Sequence, residues 1–315
     1  MESRVYSNMN NPFSVLFDSL IFGVEVFYLL LKSILVLILN MIGALLPAKR
    51  KSVAGKIVLV TGAGHGIGKE LAIQLADLEC VVVCVDVNQE NNTNTAEFIN
   101  MKHKSKRAFS FEMNVTSRDQ VMSVSQKIIE TVGNVDILIN NAGILPAQPI
   151  LTVDPDEVID VINVNLLANF WTVLAFLPSM VKRNKGHIVG VSSLAGLSGL
   201  ANKSAYSASK FGVAGMMDAL VEEFRDSSPG VKFTTVHPYF VNTRPDLPEQ
   251  LHLRMPQLDA VFTAKEIIRA MLEEKEAVSI PRHLYFFVHL LRVLPQDLKH
   301  SWRDLFYTNV EVLKS

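Results

Sequence analysis

Cysteine is nearly absent from this chain: Cys80 and Cys84 are the only two among 315 residues. They lie on one apolar run, about 13 Å apart if it is extended, which is too far for a disulfide. A disulfide-stapled secreted fold is excluded, and both thiols are expected to be buried apolar groups in a reducing compartment. Charge of one sign is lacking too. Thirty Lys and Arg stand against 31 Asp and Glu, a formal net charge of −1, which offers no electrostatic case for binding nucleic acid. His237 and His289 show no ligand spacing, so no metal site is expected. Internal repeats and low-complexity stretches are missing. So is a charge-free run of ordinary spanning length: Ser33 to Ala48 carries no charge but falls short of the roughly 20 residues a straight crossing needs.

An apolar amino end is the first thing present. From Leu20 to Ala48 the only charged residues are Glu25 and Lys32. Membrane attachment is expected, while a crossing with Lys32 reaching for the interface, a hairpin and an interfacial helix all stay open. The stretch is too long, and starts too far from the amino end, to read as a cleaved signal peptide. Lys49, Arg50, Lys51 and Lys56 follow it against Arg4 before it, and the positive-inside bias places the remainder on the cytosolic side.

Past this basic linker, Lys56 to Val60 reads as a short buried strand. It runs into Thr61-Gly62-Ala63-Gly64-His65-Gly66-Ile67-Gly68 and then into a helical pattern through Leu71, Ala72, Leu75 and Ala76. Strand, glycine turn and helix in that order allow close backbone approach and present unpaired N–H groups to a pyrophosphate. A second strand, Val81 to Val85, ends at Asp86, eighteen residues after Gly68. A carboxylate there suits the adenosine ribose hydroxyls and repels a 2′-phosphate. Val87 and Asn88 follow it, with no arginine, so NAD is expected in preference to NADP.

Tyr206-Ser207-Ala208-Ser209-Lys210 has Ser193 thirteen residues before its tyrosine. On a helix Tyr206 and Lys210 share a face, and an ammonium close to a phenol favours its ionised form. Gly186 to Val191 reads as a buried strand, which puts Ser193 just past the carboxyl end, where open α/β sheets collect ligands. Taken singly these signals are weak. A Y-x-x-x-K is more often an exposed helix face, Asn165 a helix-surface residue and Ser193 a helix-capping or turn residue, while a strand-ending turn is the lesser reading of Asp86. Their joint placement reverses that preference.

These residues carry a resemblance to the short-chain dehydrogenase/reductase family. The chain matches its TGxxxGxG at Thr61 to Gly68, its NNAG at Asn140-Asn141-Ala142-Gly143, its helix asparagine at Asn165, its serine at Ser193 and its YxxxK at Tyr206 and Lys210. The resemblance covers about Ala54 to Pro281. Lys49-Arg50-Lys51, Val53-Ala54-Gly55 and Pro238-Tyr239-Phe240-Val241-Asn242-Thr243 are most similar to the membrane-associated branch of epidermal retinol dehydrogenases and lipid-droplet 17β-hydroxysteroid dehydrogenases. The resemblance implies that Tyr206 is the general acid/base, that Lys210 lowers its pKa and bonds the nicotinamide ribose, and that Ser193 holds the substrate oxygen. Asn165 would position a water linking Lys210 to solvent. It further implies a dinucleotide held by Gly62, Gly64, His65, Gly66, Ile67, Gly68 and Asp86, with Asn114 and Val115 at the adenine. Asn141, Ala142 and Gly143 would line the adenine-ribose side, and Thr243 would bond the carboxamide. Two positions depart from the family: Asn114 stands where an aspartate is common, and Tyr239 where a glycine usually follows the proline.

The expected architecture is α/β, a doubly wound parallel sheet (Rossmann fold) in a single domain with an N-terminal membrane anchor. Residues 1–52 would be anchor and basic linker, 53–281 the dehydrogenase domain and 282–315 an apolar extension. Ala108 to Glu112 and Lys232 to Val236 read as further strands, and Asn88 to Lys102 and Arg118 to Val132 as helices. Asp156 to Met180 reads as one long helix carrying Asn165, and Ser204 to Phe224 as the helix that, by resemblance, builds a homodimer. The run after Pro281 is too short to span a bilayer; it either packs on the body or lies at the membrane interface, and either could wall a lipophilic pocket. The expected function is NAD-dependent hydride transfer to or from a lipophilic alcohol, retinol first and a 17β-hydroxysteroid or long-chain alcohol next. The endoplasmic reticulum membrane or lipid droplet is the expected location. A non-catalytic scaffold is the alternative, against which the intact Ser193, Tyr206 and Lys210 count.

Overall fold

The computed structural model describes residues 12–43, 48–146, 148–243, 251–252, 255–305 and 309–310. Arg4 and residues 44–47, which entered the charge and length arguments above, lie outside them. The chain divides into two units, Met1–Lys49 and Arg50–Ser315. In the first, α1 (Pro12–Gly43) is one unbroken helix of 32 residues. At a rise of about 1.5 Å per residue it is about 48 Å long, more than the roughly 30 Å of hydrocarbon in a bilayer. Its Ser19–Val36 stretch has a mean hydropathy of 2.0 and is wholly exposed. Phe17, Phe22, Phe27, Leu31 and Leu35 are exposed, and this helix is long and apolar enough to cross a membrane.

The second unit alternates strand and helix: β1 (Ile57–Thr61), α2 (Gly66–Asp77), β2 (Val81–Asp86), α3 (Gln89–His103), β3 (Ala108–Glu112), α4 (Arg118–Thr131), β4 (Ile137–Asn140), α5 (Pro155–Ile162) and α6 (Ala168–Lys182). There follow β5 (Gly186–Val191), α7 (Ser204–Phe224), β6 (Val231–Pro238), β7 (Leu251–His252), α8 (Ala260–Leu272), β8 (Ala277–Ile280), α9 (His283–Val293), α10 (Gln296–Leu305) and β9 (Asn309–Val310). Seven strands pair in parallel in the order β3-β2-β1-β4-β5-β6-β8, and β7 pairs with β9 apart from them. This is the doubly wound order, and it reverses between β1 and β4, where such sheets open a crevice at their carboxyl edge. Register brings Thr61, Asn140 and Val191 to that edge.

Burial on both faces explains the continuous apolar runs of the strands. Leu71, Leu75, Ile267 and Met271 pack α2 and α8 on one face, and Ile128, Phe176, Met180, Val213 and Met217 pack α4, α6 and α7 on the other. Each such side chain contributes about 1.5–3 kcal/mol by leaving water. Side-chain caps start the helices: Asn88 accepts from the Asn91 N–H, Ser117 from Gln120 and Asp259 from Phe262. Cys80 and Cys84 are both buried and free, and burial pushes their thiols up to about 12.

The expected single helix from Asp156 to Met180 is interrupted. Between α5 and α6 the chain makes a π-helical turn, Asn163–Leu167. Asn165 is fully buried in it and clasps the backbone of Ile144 both ways: its Oδ1 accepts the Ile144 N–H at 2.8 Å and its Nδ2 donates to the Ile144 carbonyl at 2.9 Å. Asn169 donates through Nδ2 to the Asn165 carbonyl at 2.8 Å, taking up an acceptor that the widened turn releases. Beyond β8, α9 packs on the body through the buried Leu284 but leaves Phe286 and Val293 exposed.

Candidate active site

The crevice is built from the end of β1. Thr61 Oγ1 accepts the N–H groups of Asn141 and Ala142, both at 3.0 Å, and Asn141 Nδ2 donates to the Thr61 carbonyl at 2.9 Å. The loops after β1 and β4 are thereby held together. Gly62 turns the chain at φ +68°, and a Cβ on Gly68 would sit 1.9 Å from the Gly62 carbonyl oxygen, so only glycine fits there. His65 precedes α2 without offering a side-chain cap, which leaves the helix amino end open to an anion. Asp86 braces the turn from β2: Oδ2 accepts the Gly64 N–H and Oδ1 the Asn88 N–H, each at 2.9 Å. A glycine-rich cradle, with helix N–H groups at its floor and a carboxylate at its side, fits a dinucleotide.

Across the crevice stand Ser193, Tyr206 and Lys210. Ser193 follows β5, and its Oγ accepts the Ala195 N–H at 3.1 Å. Tyr206 and Lys210 lie one turn apart on α7, with the Lys210 Nζ 5.7 Å from the tyrosine ring centroid. That Nζ donates to the Val191 carbonyl at 3.0 Å. Burial pushes the Tyr206 phenol up, and a hydrogen bond with the Ser193 side chain partly offsets this. Burial also brings Lys210 down to about 8. The two groups are together as their spacing predicts, yet the direction of the phenol's shift in this structure is set by burial.

These residues line a cavity of about 430 Å³. His65, Ile67, Asn141, Gly143, Ser193, Tyr206, Lys210 and Thr243 all reach it, while Leu145, Leu194, Leu200, Phe240, Val241 and Val288 make an apolar wall. Tyr239, in place of the expected glycine, also lines it and sets its ring edge-on to Phe240 at 5.2 Å. Asn165 does not line the cavity; it lies behind Gly143, where a Cβ would come within 3.1 Å of its Oδ1 and 3.4 Å of the Lys210 Nζ. Asn114 and Val115 do not line the cavity. The Asn114 Oδ1 is committed to a local turn, accepting the N–H and hydroxyl of Thr116 at 3.0 and 2.8 Å.

Some contributors went unread in the sequence. Thr61 was counted only as the first letter of a motif, although it pins two loops. Ser209 accepts from the Asn165 Nδ2 at 3.2 Å and donates to the Tyr206 carbonyl at 2.7 Å, which ties the π-turn to α7. Its position beside Lys210 was the available signal. His237, buried at the end of β6, places Nδ1 3.1 Å from the Ser193 carbonyl. A hydroxyl, a phenol and an amine thus converge beside a dinucleotide cradle and an apolar wall, an arrangement able to hold a carbonyl or alcohol oxygen and move its proton.

The short chain dehydrogenase family matches residues 56–250. Epidermal retinol dehydrogenase 2 of Homo sapiens is 38% identical over 282 residues, which cover 86% of this chain and 88% of that protein. Estradiol 17-beta-dehydrogenase 11 of Mus musculus is 35% identical over 266 residues, 83% of this chain and 88% of that protein. Retinol dehydrogenase 10-A of Danio rerio is 33% identical over 299 residues, again 86% and 88%.

Proposed function

The chain belongs to the short-chain dehydrogenase family and is an oxidoreductase, and from that premise we propose that it passes a hydride between a lipophilic alcohol and NAD. The observation that carries this is the meeting of Ser193, Tyr206 and Lys210 at one end of a largely apolar cavity. The dinucleotide, when bound, supplies the hydride acceptor or donor; the proton and the orientation fall to the chain's own side chains.

Ser193 and Tyr206 share the substrate oxygen, and Tyr206 takes or gives its proton. Lys210, brought down to about 8, is still mostly an ammonium at neutral pH and stabilises the phenolate as it forms. It also bonds the nicotinamide ribose, and Thr243 the carboxamide. Asn165 acts from behind Gly143, fixing the Gly143–Ile144 segment against Lys210 and linking that amine to solvent through a water. Gly62, Gly64, His65, Gly66, Ile67 and Gly68 take the pyrophosphate, Asp86 the adenosine ribose, Asn141, Ala142 and Gly143 the adenine-ribose side, and Asn114 and Val115 the adenine. The Asp86 carboxylate, with no cation beside it at Val87 or Asn88, favours NAD over NADP.

Retinol is the first substrate and a 17β-hydroxysteroid or long-chain alcohol the next. A cavity with polar groups at one end and apolar side chains elsewhere suits a molecule with one hydroxyl on a long apolar body. The names of the relatives, retinol and estradiol dehydrogenases, support the same two classes. Residues 1–52 serve as anchor and linker, 53–281 as the catalytic domain and 282–315 as its extension. With α1 in the bilayer, the catalytic domain faces the cytosol at the endoplasmic reticulum or a lipid droplet, as a homodimer through α7.

Purified full-length protein assayed with NAD and NADP against retinol, estradiol and a long-chain alcohol tests the reading. Turnover is expected with NAD, and Tyr206→Phe should lower it by about 10²–10⁴-fold; wild-type turnover in that variant would remove the proposed acid/base. Alkaline carbonate should leave the protein in the membrane pellet, and its full release would refute the embedded helix.

A further inference from the structure

Among the described residues, three groups outside the roles above form a line from the molecule's carboxyl-terminal region to the catalytic serine. His237 is buried, 2% exposed, at the carboxyl end of β6. Its Nδ1 lies 3.1 Å from the Ser193 carbonyl. A carbonyl only accepts, so Nδ1 must carry the proton and donate. On its other side the imidazole packs against Tyr285 of α9, ring centroids 5.9 Å apart. Tyr285 in turn lies 4.4 Å from the His289 ring, and the His289 Nδ1 is 2.8 Å from the Tyr285 carbonyl.

The same helix makes two further contacts, one of them with the cavity. Val288 lines the cavity, and the Arg292 guanidinium sits over Phe211, the residue after Lys210, at 5.7 Å. All of α9 lies beyond residues 56–250, the part matched by the family. Ser193 itself has an extended backbone outside regular structure. Its carbonyl accepts from the Gly196 N–H at 2.8 Å within the turn that follows. The His237 contact is the one that reaches this carbonyl from another strand, and it fixes the peptide plane from which the catalytic hydroxyl projects. Burial holds the imidazole down to about 4, so it stays neutral through the working range and keeps one donor on that carbonyl.

We propose that His237 is a positioning residue for the reaction: it donates Nδ1–H to the Ser193 carbonyl, is held in that pose by Tyr285, and so makes α9 part of the active-site framework. It touches no reacting atom and acts through Ser193, so the inference rests on the role given to Ser193 above.

The test uses full-length enzyme with NAD and retinol, with estradiol in parallel. His237→Asn returns an amide N–H to the place of Nδ1, whereas His237→Gln carries its amide one methylene further, toward the place of Nε2. His237→Gln is expected to lose about tenfold in kcat, the worth of one buried hydrogen bond, with the dissociation constant for NAD and the KM for the alcohol within about twofold of wild type. His237→Asn should recover most of that loss. Tyr285→Leu, at a half-buried position, should lower kcat with the same split. Equal losses in Asn and Gln would mean that His237 only fills space, and wild-type kcat in Gln, or in Tyr285→Leu should the His237 variants not fold, would overturn the proposal. Ser193→Ala separates this from failure of the underlying reading. If that variant turns over normally, the serine's role is wrong; if it is inactive while His237→Gln and Tyr285→Leu are normal, only the positioning role is wrong.

Discussion

Replacing Asp86 by Asn keeps the side chain's size and removes its charge. In the structure the two carboxylate oxygens accept separate backbone N–H groups, Gly64 in the glycine turn and Asn88 before α3, each at 2.9 Å. An amide has one oxygen, so its NH₂ must face the second N–H. A hydrogen bond to a charged acceptor contributes about 1.5–3 kcal/mol, and losing one here weakens the turn by about that amount. NAD would also lose the acceptor for its ribose hydroxyl. At 1.4 kcal/mol per factor of ten, the dissociation constant for NAD should rise about 10–100-fold. For NADP the sign differs. A carboxylate about 4 Å from a 2′-phosphate, at an effective dielectric of about 20, repels each unit charge by about 4 kcal/mol, and salt and solvent at the sheet edge bring this nearer 2. A 2′-phosphate carries about 1.5–2 charges, so removing that repulsion offsets or exceeds the weakened turn, and NADP affinity should hold or rise by about tenfold. Calorimetric titration of the wild-type and Asp86→Asn proteins with both dinucleotides, at one ionic strength, measures this. Parallel weakening of NAD and NADP would reduce Asp86 to a turn brace and refute the discrimination argument; unchanged binding of both would refute the brace as well.

A methyl group at Gly68 has no room, since it would overlap the Gly62 carbonyl oxygen at 1.9 Å and the Asn141 Nδ2 at 2.7 Å. Gly68→Ala should therefore weaken dinucleotide binding more than about 100-fold and lower the melting temperature, at a strain of about 1–3 kcal/mol or more; native affinity would show that the loop is not packed as described. Acid should destabilise the fold through its buried imidazoles. His187 is pushed well below 6.5 and His237 to about 4, both by burial first, so the unfolded chain binds more protons between those values. The stability they contribute is complete above pH 6.5 and drains away as pH falls through the folded values, and His237 alone accounts for about 3 kcal/mol by pH 4. Urea unfolding between pH 7 and 4 should show this slope, and His237→Asn should flatten it; an equal slope in both proteins would contradict the assignment.

The bounds of β3, β5 and α7 are legible in the sequence: Phe109 and Phe111 alternate with polar Ser110 and Glu112 in β3, Ile188 to Val191 make a largely apolar run in β5, and helical spacing continues from Ser204 to Phe224. The glycine turn was legible because a strand, its glycines and a helix occur in one order only. Asn165 was placed on a helix, and its burial was not foreseen. Helical periodicity counts 3.6 residues per turn and cannot register a wider turn set by contacts with Ile144, which lies 21 residues earlier in the chain. Three asparagines, Asn163, Asn165 and Asn169, in an otherwise apolar stretch are the mark it leaves. Asp86 was read for its ligand, and its hold on Gly64 came only with the fold. His237 has no metal-ligand spacing, and its partner is a carbonyl 44 residues away that spacing does not reveal.

The π-helical turn at Asn163–Leu167 amounts to one surplus residue in a helix. Excising one residue from that turn would close it into ordinary α-helical winding, with α5 and α6 free to keep their places but the widened turn gone. Asn165 would swing off the Ile144 peptide, while Thr172 and Met180 on the far side kept their places. Register in this layer is therefore a discrete setting: side chains here can be exchanged one for one, but a single deletion would change the count on which the geometry depends.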